Sequence, residues 1–186
     1  MTRTLRSNVL ALALLVLVLA GCGADPNYIF VEGFEEACDG APCRWTVQSS
    51  TPGAARWNET TPGEHGVLLE GNPLAIIRDM SGVEIENPPS SSIYNVEIAA
   101  RCDGTATLTI EMSVEALASG SIETFTASVS PPSDWDGTLD SRELISSAGG
   151  FGVLFRDIVG LRVVKVGDGA CELDYLAVRA DSGFSR

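Results

Sequence analysis

Five cysteines, one histidine, three tryptophans and 25 carboxylates are the groups of this 186-residue sequence whose types and spacing suit chemistry. The carboxylates face only 12 basic residues, and Lys165 is the sole lysine. Nucleic acid is therefore excluded as a partner, because phosphate contacts need clustered Lys and Arg. His65 is the only imidazole, so Ser-His chemistry has one base at most, and no Gly-x-Ser-x-Gly elbow is present. Gly149-Gly150-Phe151-Gly152 is a loose glycine cluster and not a phosphate cradle. Zinc is not expected, since the cysteines form no Cys-x-x-Cys pair. A glycosidase needs just two carboxylates, but no pattern isolates such a pair. The sequence thus predicts a protein that is not an enzyme.

The cysteine count is odd, and the N-terminus accounts for the odd one. Arg3 and Arg6 precede an unbroken apolar run of 12 residues, Val9 to Ala20. A spanning helix needs about 20, so this is the core of a signal peptide. The run ends Leu19-Ala20-Gly21-Cys22, which resembles the lipobox of bacterial lipoproteins. That resemblance implies cleavage after residue 21, a diacylglyceryl thioether on Cys22 and a further N-acyl chain. The membrane is then a partner through the lipid, because two or more acyl chains anchor stably where one is marginal. Gly23 follows the cysteine in place of the aspartate that marks inner-membrane retention, so the resemblance favours the outer membrane of a bacterial envelope. Removing residues 1–21 takes away two arginines and no acids, and the formal charge moves from −13 to −15.

Cys38, Cys43, Cys102 and Cys171 remain, with three possible pairings. An exported chain makes disulfides the default. The turn-prone Asp39-Gly40-Ala41-Pro42 favours a local Cys38–Cys43 bridge, which leaves Cys102 with Cys171.

Short alternating segments must position these groups. Leu108, Ile110, Met112 and Val114 alternate with polar residues over 105–115, and Tyr94, Val96, Ile98 and Ala100 do so over 92–102. Period two denotes strands with one buried face. Asp103-Gly104 between them predicts a hairpin, as does Gly167-Asp168-Gly169 further on. Glu123, Phe125, Ala127 and Val129 predict a third strand after a turn near Gly120. Further strands are expected at 28–34, 66–70, 74–80, 160–166 and 170–179, with one helical turn at most over 141–147. Such a series predicts an all-β antiparallel sandwich over residues 28–180, between a tether at 22–27 and a tail at 181–186.

Gly33-Phe34-Glu35-Glu36, Cys43-Arg44-Trp45, Trp57, the turn into Gly66-Val67-Leu68-Leu69 and the closing Leu173-Asp174-Tyr175-Leu176 occur in this order. The combination resembles the jelly-roll β-sandwiches of carbohydrate-binding modules and MAM-type adhesion domains. It implies a jelly roll, and it places Glu35 and Asp174 where such modules hold a structural calcium. Calcium needs six to eight oxygens, so two matched carboxylates fall short by themselves. Asp134-Trp135-Asp136-Gly137 lacks the later oxygen ligands of a calcium loop and reads as a turn. Sugar rings stack on exposed aromatics with polar groups nearby. Trp45 and Tyr94 lie in apolar patterns and are expected in the core. Trp57 and Trp135 lie in polar, turn-rich stretches and are the candidate ligand-binding rings. The expected function is a non-catalytic, lipid-anchored binding module for a glycan or an envelope protein. The alternatives are a structural or assembly lipoprotein and, last, a small glycan-acting hydrolase.

Overall fold

The computed structural model describes residues 28–61, 64–81, 92–117, 119–135, 140–145 and 155–182. Residues 1–27, where the signal segment, Cys22 and the tether are expected, lie outside the described residues, as do Asp136, Gly137 and the glycines at 149–152. The described residues form thirteen strands: β1 Tyr28–Glu32, β2 Ala37–Cys38, β3 Ala41–Pro42, β4 Thr46–Gln48, β5 Ala55–Thr61, β6 Glu64–Leu69, β7 Leu74–Asp79, β8 Ser92–Cys102, β9 Thr107–Ala116, β10 Ile122–Val129, β11 Asp140–Ile145, β12 Phe155–Val166 and β13 Cys171–Ser182. No helix is present among the described residues.

Two antiparallel sheets pack face to face. The six-stranded sheet runs β11-β8-β13-β6-β5, with β1 paired to the half of β13 that β6 leaves open. The five-stranded sheet runs β10-β9-β12-β7-β4. The core is what the alternation predicts. Along β9 every second residue is buried, and Leu108, Ile110, Met112 and Val114 meet Ile76 and Val163 of the same sheet and Val96, Ile98, Leu173 and Leu176 of the other. Each such side chain contributes about 1.5–3 kcal/mol relative to exposure. Trp45 and Tyr94 are in this core. The architecture is the expected all-β jelly-roll sandwich.

Two local expectations are corrected. Asp103-Gly104 does not close a hairpin, because β8 belongs to the six-stranded sheet and β9 to the five-stranded one. The hairpin turn requires positive φ at both central residues, and here Gly104 alone has it. Gly167-Asp168-Gly169 likewise carries the chain between sheets, from β12 to β13. The two crossovers are arches lying against each other, with Asp103 N donating to Ala170 O (2.8 Å) and Thr105 N to Asp168 O (3.1 Å). A Cβ on Gly169 would stand 2.1 Å from the Asp103 carbonyl oxygen, and one on Gly104 2.7 Å from that of Asp168. Only glycine permits such close backbone contact. The second correction concerns 141–147. Residues 140–145 form β11 on β8, because β8 offers an open edge there and satisfies the backbone donors of the segment.

Both expected disulfides form. Cys38–Cys43 closes the β2–β3 turn, and Cys102–Cys171 joins directly opposed residues of β8 and β13 at the foot of the arches.

Candidate functional site

The outer face of the five-stranded sheet is set by the same alternation that fills the core. When Leu108, Ile110 and Met112 point inward, Thr109, Glu111 and Ser113 point outward. Register carries this across the sheet: Ser128 opposes Thr109, Thr126 opposes Glu111, and Thr124 opposes Ser113. Hydroxyl pairs form at Thr109–Ser128 (3.3 Å) and Ser113–Thr124 (3.0 Å). On β12, Arg162 opposes Glu111 and donates to its carboxylate at 2.8 Å.

Beyond Arg162 the face dips into an open groove of about 430 Å³. Gln48, Ser49 and Ser50 at the end of β4 supply one wall, and Pro73, Leu74 and Ala75 at the start of β7 line another side. Arg162 and Val164 complete it. An amide, two hydroxyls and a guanidinium thus surround a small apolar surface. That set donates and accepts hydrogen bonds and offers flat C–H contact, which suits a neutral polyhydroxylated ligand.

The wall at Pro73 is held from beneath. Lys165 is fully buried on β12 between Leu74 and Leu108, and its Nζ donates to Gly71 O (3.0 Å) and Gly167 O (2.8 Å). Burial pushes its ammonium below the ordinary lysine range, and the Asp168 carboxylate opposes that shift.

The residues singled out from the sequence lie elsewhere. Trp57 on β5 opposes the buried Val67, so it lies on the inner side of its sheet at the edge strand. It is half-buried, and its indole N–H donates to Phe34 O (2.9 Å). Trp135 is half-buried beneath Arg101, whose guanidinium carbon stands 5.7 Å from the ring centre. Arg101 donates twice to Glu172, at 2.9 Å each, and this carboxylate holds its pKa above the usual arginine value. Arg101 and Glu172 are on the outer side of the six-stranded sheet, so the two tryptophans do not form one platform.

Glu35 and Asp174 lie past the same end of the β1–β13 ladder, whose last pair is Glu32 and Leu176. Glu35 lines a hollow of about 210 Å³ with Glu32, Gly33, Phe34 and Glu36. Glu32 is engaged here, accepting from Trp45 Nε1 (3.1 Å), Phe34 N (3.2 Å) and Arg78. Phe34 holds φ at 53°, a left-handed conformation that costs an aromatic residue about 1–2 kcal/mol. Its ring packs 5.6 Å from that of Trp45. Among the described residues no three acidic, histidine or cysteine side chains converge as metal ligands. The carboxylates present therefore do not by themselves fit calcium.

On the outer side of the six-stranded sheet, Tyr28 donates to the buried Glu97 and Arg179 pairs with the same carboxylate at 2.6 Å. The hydrogen bond to Glu97 is the main reason the Tyr28 phenol is pushed up to about 12. Burial raises Tyr175 beside it.

No family model matches the chain, and no curated protein matches its sequence. Solved structures do match. The CBM22-1–GH10 modules of Clostridium thermocellum xylanase 10B, complexed with xylohexaose, align with TM-score 0.55 and 15% identity over 87% of this chain and 30% of that longer one. The CBM22-1 xylan-binding domain of Paenibacillus barcinonensis Xyn10C aligns with TM-score 0.51 and 11% identity, over 87% of this chain and 100% of that one. The family 11 carbohydrate-binding module of Clostridium thermocellum, in complex with a β-1,3-1,4-mixed-linked tetrasaccharide, gives 0.50 and 11%, over 84% and 97%. The shared property is the fold, the β-sandwich of carbohydrate-binding modules.

Proposed function

We propose that this protein is a non-catalytic glycan-binding module, held at a bacterial envelope, with the outer membrane favoured, by a lipid on Cys22. The carrying observation is the groove between Gln48, Pro73 and Arg162 on the polar outer face of the five-stranded sheet. The sandwiches of the same fold support the reading, since they include modules complexed with xylohexaose, a xylan-binding domain and a module in complex with a mixed-linked tetrasaccharide. The lipid rests on the sequence of residues 1–22 alone.

The test is calorimetric titration of the purified protein with xylohexaose, cellotriose and a β-1,3-1,4-linked tetrasaccharide. At least one is expected to bind, and Gln48→Ala and Arg162→Ala are each expected to weaken it about tenfold, the effect of about 1.4 kcal/mol. Binding abolished by Trp57→Ala or Trp135→Ala and untouched by the groove substitutions would move the site to that ring. No binding by any of the three would remove the support for a glycan ligand. A protein-assembly role has one observation in its favour. Leu117 and Ile122 are exposed together at the β9–β10 hairpin, and a partner would cover them.

A further inference from the structure

Lys165 stands out because nothing in the proposed binding chemistry uses it. It is the only lysine of the sequence, and it lies in a core row flanked by leucines. A buried ammonium is retained only where it is hydrogen-bonded, and the carbonyls it meets identify its work. Gly71 O belongs to the segment that enters β7 and lines the groove, and Gly167 O belongs to the arch into β13. Asn72 repeats the link from the outside. Its Oδ1 accepts from Gly167 N (3.3 Å) and its Nδ2 donates to Asp168 Oδ1 (3.2 Å). Gly71 is also seated with no room to spare, as a Cβ there would stand 3.0 Å from both Leu74 Cβ and Ser49 Oγ. Ser49 lines the opposite wall, so displacing the 71–73 segment displaces both sides of the groove.

We infer that Lys165 is a positioning residue for the groove: by tying Gly71 to Gly167, with Asn72 as its outer counterpart, it fixes the Pro73–Ala75 wall against which a ligand would lie. The inference rests on the groove as the binding site for its consequence, but the fixing of the wall stands on the contacts alone.

The test separates the two. Lys165→Met keeps the length and the packing while removing the donors. Asn72→Ala, at an exposed position, loosens the same segment should the first variant fail to fold. Hydrogen–deuterium exchange is measured on the intact protein. Exchange over residues 70–75 is expected to quicken about tenfold in either variant, the equivalent of one or two lost hydrogen bonds, while β9 keeps its protection. Unchanged exchange over 70–75, or an equal rise in β9, overturns the inference, because Lys165 would then be an ordinary core residue. The glycan that binds the wild-type protein best is titrated in parallel, and its affinity is expected to fall about fivefold or more as the wall loosens. Faster exchange with unchanged affinity would overturn the positioning role. If none of the three oligosaccharides binds the wild-type protein, the glycan reading fails and the exchange result alone decides the wall. Acylation gives an independent readout, since an amine-reactive reagent has one lysine to strike, and Asn72→Ala should speed that reaction.

Discussion

Removing the two disulfides separately should give unequal losses, and the inequality follows from where they lie. Cys102 and Cys171 are 69 residues apart in sequence, whereas Cys38 and Cys43 are 5 apart. On the chain-entropy account the long loop contributes about 4.4 kcal/mol and the short one about 2 kcal/mol, by restricting the unfolded chain. The structure widens the gap. Cys102 and Cys171 are buried in the core, so alanine in their place leaves unfilled volume, while Cys38 is exposed on a two-residue strand. The paired variant Cys102→Ala/Cys171→Ala should therefore lose about 4 kcal/mol or more and melt about 10–15 °C lower, against about 2 kcal/mol for Cys38→Ala/Cys43→Ala. Urea unfolding followed by tryptophan fluorescence measures both. Equal losses, or a larger loss at the β2–β3 turn, would refute the reasoning by showing that residual unfolded structure or native strain outweighs loop closure. Mild reductant offers a second check, since the exposed Cys38–Cys43 bond should open first.

Three further outcomes are expected. The raised Tyr28 phenol means that the folded protein holds a proton which the unfolded chain gives up near pH 10, so the stabilisation from Tyr28 and Glu97 is complete below pH 10 and lost as pH climbs towards 12; Tyr28→Phe should flatten this part of an alkaline stability profile. Glu32→Ala strips the buried Arg78 of its carboxylate and should cost about 3 kcal/mol in chemical unfolding, with Arg78→Met on the same background recovering part of it. Cys22→Ser should release the protein from membranes and abolish lipid labelling, and a variant still sedimenting with membranes would count against the anchor.

The sheets were legible because alternation is a direct image of burial. The alternation over 105–115 and 92–102 matches β9 and β8 almost end to end, since every second side chain had to be apolar. Which strands pair was not legible. An Asp-Gly step looks the same in a hairpin and in an arch, and the distinction lies in backbone angles and in the partner arch some 65 residues later. The groove escaped for another reason. Gln48 sits on a strand of three residues, too short for any period, and its wall comes from a separate part of the chain. Lys165 did leave a signal: it shares the parity of Leu161 and Val163, so its position in the alternation pointed inward. The tryptophans illustrate the limit of composition, because a turn-rich neighbourhood does not say which side of a sheet edge a ring will take.

The place of β13 bears on how the protein is made. It is the last strand among the described residues, yet it pairs with β8, β6 and β1, and thereby joins distant parts of the six-stranded sheet. Until residues 171–182 have emerged, β1 has no ladder and β8 lacks its inner neighbour. Every one of those pairings is long-range, and such contacts form late and slowly. A product cut short before β13 cannot complete its sheet. Loss of the final dozen strand residues should then be far more damaging than loss of a comparable edge strand such as β10.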